Sequence, residues 1–154
     1  MCKDSNKNVN RLYITFLTIE ILLFRISSMV SFMIIKSIAE TSYSGMFKVA
    51  PEEGSAFYVR AEYLPEGLLE KIDAGAEFDE ADTDSLLDAG LTCAVELKAV
   101  SYLARAEQSR FGLTRKLIEK KYDKKYVEAA VTYLEGRGYL SDLRYATAWL
   151  NTRK

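Results

Sequence analysis

The lysine and arginine residues are the best candidates for a functional role in this chain. The groups that catalytic sites usually require are missing or badly spaced. The 154 residues contain no histidine, which excludes a histidine proton shuttle, histidine metal ligands and Ser-His or Cys-His nucleophile pairs. The two cysteines, Cys2 and Cys93, lie far apart and lack CxxC spacing, so neither a zinc site nor a redox pair is indicated. We therefore predict a protein that is not an enzyme and that uses no metal or other cofactor.

Positive charge is concentrated in the C-terminal part of the chain, although the formal net charge of the whole is -1. The stretch from Ala50 to Gly90 is strongly acidic, whereas bases outnumber acids from Lys98 onward. Charge asymmetry between segments is a cue for an anionic partner. The residues that we expect to bind such a partner, called here the candidate cations, are Arg105, Arg110, Arg115, Lys116, Lys120, Lys121, Lys124, Lys125 and Arg144.

A less specific interpretation of the candidate cations stays open. They could form an ordinary solvated helix surface on which Glu119 and Glu128 act as partial partners. Two aromatic residues, Tyr122 and Tyr126, flank a lysine pair and could stack on the bases of a single strand, while core packing is the alternative role for them.

Residues 33–64 are predicted to form a small antiparallel β meander. Apolar residues alternate between Gly45 and Leu64, and the PEEGS sequence that starts at Pro51 supplies turn chemistry between two strands. Met33 to Ala39 is the third predicted strand. The expected inward positions are Phe47, Val49, Phe57, Val59, Ala61 and Tyr63, and the expected solvated face carries Tyr58, Arg60 and Glu62.

Residues 65–90 are predicted to hold short acidic helices. One follows Pro65 and ends at Gly75, and another covers Glu80 to Ala89. The acids of this segment lack EF-hand spacing, so a solvated acidic face is favoured over a cation site.

Residues 91–140 are predicted to form three helices, and residues 141–154 begin a fourth. Good N-caps stand at Ser109, at Asp123 and at Ser141 or Asp142, while the GRG sequence stops the third helix. The fold class is thus mainly α (α+β), a β meander followed by a helix-turn-helix-like bundle and a partial fourth helix. The predicted inward stripes are Cys93, Leu97, Val100 and Ala104; Leu113, Leu117 and Ile118; Val127, Ala130, Val131 and Leu134; and Leu143, Ala146, Trp149 and Leu150.

The apolar stretch Leu12 to Ile35 is not a convincing membrane span. Glu20 and two basic residues interrupt or close it, leaving about half of the roughly 20 uncharged residues that a spanning helix needs. A signal peptide fits poorly because its core would hold a carboxylate and no A-x-A-like site follows. We interpret residues 1–32 as an upstream extension, with synthesis starting at Met29 or Met33. An extra buried helix, a span and a signal peptide are the alternatives.

The order and spacing of residues from Leu91 to the end carry a family resemblance. The residues that carry it are Tyr102-Leu103-Ala104-Arg105, Ser109-Arg110, Lys116-Leu117, Leu134-Glu135, Gly138-Tyr139-Leu140 and then Asp142, Arg144, Tyr145, Ala146, Trp149 and Arg153. In this order they resemble the RecX family, with the first helical repeat at 91–140 and the start of a second at 141–154. Gly112 departs from the family, which commonly has a glutamate there to complete the capping box, and Leu143 replaces a usual acid. The family normally carries three repeats, so we expect a truncated member.

The resemblance implies a cytoplasmic regulatory protein of recombinational DNA repair and the SOS response, which binds RecA filaments on DNA. Phosphates and acidic protein surface would attract the candidate cations, with weak phosphate contact to DNA and no small-molecule substrate. A stand-alone helix-turn-helix DNA-binding protein is one alternative, although the usual readers of base edges are scarce on the third helix. An inactive remnant is the other alternative.

Overall fold

The computed structural model describes residues 33–153, so the interpretation of residues 1–32 lies outside the described residues. The chain divides into two compact units, one ending at Ala94 and the other beginning at Val95. A four-stranded antiparallel sheet lies in the first unit and a helical bundle in the second. The predicted class, mainly α (α+β) with a small β meander before the helices, is confirmed.

The sheet of the first unit has the order β3-β2-β1-β4. Its strands are β1 (Met33–Glu40), β2 (Met46–Pro51), β3 (Phe57–Arg60) and β4 (Glu77–Phe78). Antiparallel pairing aligns Ile38 with Val49 and Val49 with Phe57, which confirms the predicted meander. The strand β4 was not predicted, because two residues are too few to show a period of two.

Half of the predicted inward positions of the meander are fully buried, and the other half are partly buried. The structure buries Val49, Phe57 and Val59 and partly buries Phe47, Ala61 and Tyr63. The segment Ala61–Tyr63 is a 3₁₀ turn, not a continuation of β3, so the prediction of a strand there was wrong. Arg60, expected on a solvated face, is buried, and its Nη1 donates to the carbonyl oxygen of Ser44 at 3.1 Å, since a guanidinium at a strand end can satisfy a free carbonyl.

Two helices follow in sequence, α1 (Leu68–Lys71) and α2 (Glu80–Leu103). The prediction of separate helices over 80–89 and from residue 91 was wrong, because α2 runs through this boundary without a break. Gly90 explains the difference: a Cβ at this position would lie 2.7 Å from Cδ2 of Phe57. The glycine therefore allows α2 to pack closely on β3, and it does not stop the helix.

The second unit contains the C-terminal part of α2 together with α3 (Arg110–Glu119), α4 (Lys124–Gly136) and α5 (Asp142–Asn151). Its buried core consists of Val95, Ala99, Leu113, Leu117, Val127, Ala130, Val131, Leu134 and Leu140. The predicted stripe of α4 is confirmed in full. On α3, Ile118 is 40% exposed instead of buried.

The stripe of α2 that was predicted to face this core is wrong. Val95 and Ala99 contribute to it, whereas Val100 is exposed and Ala104 follows the end of the helix. Neighbouring stripes of α2 are both apolar, and helical periodicity alone cannot choose between them.

The predicted N-caps of the last three helices are confirmed. Ser109, Asp123 and Ser141 each accept a hydrogen bond from a backbone N–H in the first turn, at 3.1, 2.8 and 3.3 Å. Gly138, just after α4, has a φ of 75°, the left-handed conformation that commonly ends a helix.

Candidate partner-binding surface

The turn between α3 and α4 carries three exposed candidate cations. We call Lys120, Lys121 and Lys124 the basic turn. The turn is anchored to the helical core by Leu117 of α3 and Val127 of α4, which are both fully buried. The three lysines are exposed, and none has an ion-pair partner among residues 33–153. The basic turn therefore presents lysine ammonium groups that make no ion pair within residues 33–153 and that an outside anion can bind.

Lys121 occupies a backbone conformation that favours glycine. Its φ is 69°, and it is the one non-glycine residue with positive φ between residues 33 and 153. This conformation costs a residue with a Cβ roughly 1–2 kcal/mol. Hydrogen bonds hold it in place, from the Lys121 amide to Ile118 and from the Tyr122 amide to Leu117, at 2.8 and 3.3 Å. Observed strain of this kind directs attention to function.

The outer face of α3 presents two more candidate cations, Arg115 and Lys116, with weak internal partners. Nε of Arg115 lies 3.5 Å from Oε1 of Glu119, and both side chains are 63% exposed. Lys116 donates from Nζ to Oε1 of Gln108 at 2.6 Å. Exposed contacts of this kind contribute little to stability, so an outside partner can displace them at small cost.

Arg110, by contrast, is occupied inside the unit. Its Nη1 donates to the carboxylate of Glu135, and its Nη2 donates to Glu128 and Thr132 at 3.2 and 3.1 Å. The guanidinium thus ties the start of α3 to the outer side of α4. The structure places Arg110 as an internal tie, apart from the basic turn.

Arg144 and Asp142 attach the start of α5 in a similar way. Arg144 donates to Oε1 of Glu107 and to the carbonyl oxygens of Gly138 and Tyr139, at 2.9, 2.9 and 3.0 Å. Asp142 accepts from the backbone N–H of Arg110 at 2.6 Å, placing a carboxylate at the N-terminus of α3, where the helix dipole favours it. We call these contacts the polar clasp of α5, and they occupy Arg144.

The last two candidate cations lie at the edges of this arrangement. Arg105 is exposed just beyond the end of α2, with no ion-pair partner in the described part of the chain. Nζ of Lys125 lies over the ring of Tyr126, 5.3 Å from its centroid. Three of the candidate cations thus lie together in the basic turn, whereas Arg105, Arg110 and Arg144 each lie in other surroundings.

The two tyrosines beside the basic turn pack against the helical core. Tyr122 and Tyr126 are each half-buried on it. Desolvation by burial, and secondarily the nearby Tyr102, raise the pKa of Tyr122 above its ordinary value of 10.0. Packing is thus their observed contact, and their stacking on bases stays a prediction.

Apolar side chains on the outside of the second unit were missed as functional candidates. Phe111 is 75% exposed on α3, and Ile118, two turns further along the same helix, is 40% exposed. The signal was in the sequence, because Phe111 stands two residues before the buried Leu113 and so points away from the core in a helix. On α5, Leu143 and Leu150 are also exposed, so the stripe predicted to face inward was wrong.

Within residues 33–153, no group of His, Cys, Asp or Glu residues could hold a metal ion. Among the helices of this part of the chain, none has the length and apolar character to cross a bilayer.

Comparison with known proteins points to one family. No protein-family model matches the chain. It is 36% identical over 59 residues to the regulatory protein RecX of Ralstonia pickettii (strain 12J), covering 38% of this chain and 37% of the relative. It is 40% identical over 58 residues to the regulatory protein RecX of Treponema pallidum (strain Nichols), covering 38% and 35%. The chain thus spans about a third of the length of these relatives.

A solved structure gives the fold. The crystal structure of a regulatory protein RecX superposes with a TM-score of 0.58 at 21% sequence identity, covering 78% of this chain and 58% of that one. At this identity the likeness concerns the fold alone. Over part of its length, then, this chain is similar in sequence to the regulatory proteins RecX, and it shares the fold of a solved RecX structure.

Proposed function

We propose that this chain is a RecX-like regulatory protein, which binds RecA filaments on DNA in the cytoplasm and modulates the activity of the recombinase. The observation that carries the proposal is the identity of 36 to 40% to two regulatory proteins RecX over 58 or 59 residues. The relatives are named as regulators, which agrees with a binding role instead of catalysis.

The basic turn supports this proposal physically. A filament on DNA offers phosphates and acidic protein surface, and three exposed lysines without internal partners can neutralise either one. Since α4 also carries Glu128, Glu135 and Thr132, which hold the guanidinium of Arg110, its outer side is poorly suited to reading bases in a major groove.

The test is the ATPase activity of RecA on single-stranded DNA at low salt, with and without the purified full chain. We expect the chain to change the rate, and we expect the double variant Lys121→Glu and Lys124→Glu to abolish that change. The matched control is Lys36→Glu with Lys48→Glu, which reverses two exposed lysines of the sheet and alters the net charge equally.

An unchanged ATPase rate at a large excess of the chain would overturn the proposed function. An equal loss of effect in the sheet control would overturn the role of the basic turn, because net charge would then be responsible. Binding to duplex DNA without RecA, with a sequence preference, would favour the alternative of a stand-alone DNA-binding protein.

A further inference from the structure

The exposed side of α3 combines apolar and cationic side chains in one row. Phe111 and Ile118 are seven residues apart, so they lie on the same side of the helix two turns apart, and they are 75% and 40% exposed. Arg115 stands between them, four residues after one and three before the other, which makes it a neighbour of both. We call these three residues the α3 ridge.

Contacts within the α3 ridge leave its surface available. The guanidinium of Arg115 lies 6.0 Å from the centroid of the Phe111 ring, at the outer limit of a cation–π contact. Its ion pair with Glu119 is solvent-exposed and contributes little. A partner carboxylate can therefore replace Glu119 at Arg115 while the aromatic ring enters an apolar pocket.

The α3 ridge and the basic turn suit different chemistry. Aromatic residues and arginine dominate the centres of protein–protein interfaces, where burial of the ring contributes most of the energy. Phosphate contact needs neither an exposed phenylalanine nor an isoleucine, and the basic turn supplies the lysines for it. The two surfaces also meet in sequence, since the ridge ends at Ile118 and the basic turn begins at Lys120.

We infer that the α3 ridge binds the protein component of the filament while the basic turn binds its phosphates, an inference that rests on the proposed function. The partner surface has an apolar pocket for Phe111, bordered by a carboxylate for Arg115. This complementarity follows from the positive charge around the ring. The α3 ridge would then determine which protein is recognised, and the basic turn would add affinity that depends on salt.

The two proposed roles predict different dependences of binding affinity on salt concentration. Loss of one phosphate contact lowers the slope of log affinity against log salt by about 1. Loss of a buried aromatic anchor weakens binding about tenfold or more at every salt concentration, mainly through faster dissociation. Phe111→Ala should therefore keep the wild-type salt slope, whereas Lys121→Ala with Lys124→Ala should flatten it.

The experiment measures binding of the full chain by biolayer interferometry to RecA filaments on single-stranded DNA and, separately, to a bare oligo-dT strand over a salt series. We expect Phe111→Ala to bind filaments at least tenfold more weakly and the bare strand as wild type does. Lys121→Ala with Lys124→Ala should weaken both. The control is Leu143→Ala, which removes an equally exposed apolar side chain from α5, 78% exposed, and should bind filaments normally.

Each outcome decides between the proposals. If wild type binds filaments but Phe111→Ala binds equally well, or loses the bare strand as well, the assignment of the α3 ridge is overturned while the RecX-like function survives. An equal loss in Leu143→Ala would also overturn it, because any exposed apolar residue would then matter. If wild type binds no filaments, both proposals fall. Because Phe111 is exposed, its variant should unfold at the wild-type temperature, and Phe111→Tyr should retain binding.

Discussion

The helices α4 and α5 are both amphipathic and both capped, yet they are held in opposite ways. The whole apolar stripe of α4 is buried in the core. On α5 the corresponding residues Leu143, Trp149 and Leu150 are 78%, 44% and 59% exposed, and the helix is held at its start by the polar clasp. An amphipathic period therefore identifies an apolar face of a helix, but it does not show that the core of the same unit buries that face.

The largest expected effect tests the buried half of this comparison. Leu134→Ala removes a fully buried side chain from α4 and should lower the free energy of unfolding by about 2–5 kcal/mol, because it loses apolar burial and leaves a cavity. Leu143→Ala on α5 should change it by less than about 0.5 kcal/mol, since that side chain is exposed. Urea denaturation followed by circular dichroism measures both. Equal losses would refute the difference between the two helices.

This contrast also shows how far the sequence leads. The caps at Ser109, Asp123 and Ser141 are local, involving residues within one turn, so they could be predicted. The polar clasp joins Asp142 to Arg110 and Arg144 to Glu107 across more than 30 residues, and no local pattern indicates such pairings. Arg110 and Arg144, which were predicted to bind a partner, make these internal contacts, and their binding to a partner stays a prediction.

The same limit applies to α2. The boundary predicted at residue 90 was wrong because Gly90 meets Phe57 of a distant strand, a contact invisible in the local sequence. The basic turn, by contrast, could be recognised as a dense run of lysines, although nothing in the sequence revealed that Lys121 has a positive φ.

The next largest effect concerns the tie between α3 and α4. Arg110→Ala removes three side-chain hydrogen bonds to Glu128, Thr132 and Glu135. The group is only partly exposed, so we expect a loss of about 1–2 kcal/mol in the free energy of unfolding, reduced from the value of buried pairs by solvent. A double-mutant cycle with Glu135→Ala measures the coupling. A coupling energy of zero would show that the Arg110–Glu135 pair adds nothing to the stability of the bundle.

The polar clasp should matter locally more than globally. Arg144→Ala removes its bonds to Glu107 and to the carbonyl oxygens of Gly138 and Tyr139, so α5 should open more often. We expect amide hydrogen exchange to accelerate about tenfold within residues 142–151, equivalent to about 1.4 kcal/mol, with α4 unchanged. Arg115→Ala, which breaks an exposed pair, is the matched control. Protection of α5 in the Arg144 variant equal to wild type would mean that the hydrogen bonds of Arg144 do not hold the helix.

The smallest expected effect is a pH dependence of stability caused by Tyr122, which packs on the same core as α4. Burial, and secondarily Tyr102, raise the pKa of Tyr122 above 10.0 in the folded chain, so the folded state holds this proton more tightly than the unfolded state does. The stabilisation is fully present below pH 10.0 and is lost as the pH rises through the raised pKa. Tyr122→Phe removes the titrating group, so its melting temperature should fall less than that of wild type above pH 10.0. Tyr139→Phe, at an exposed position, should follow wild type, and parallel melting curves of all three proteins would argue that Tyr122 is not desolvated against the core.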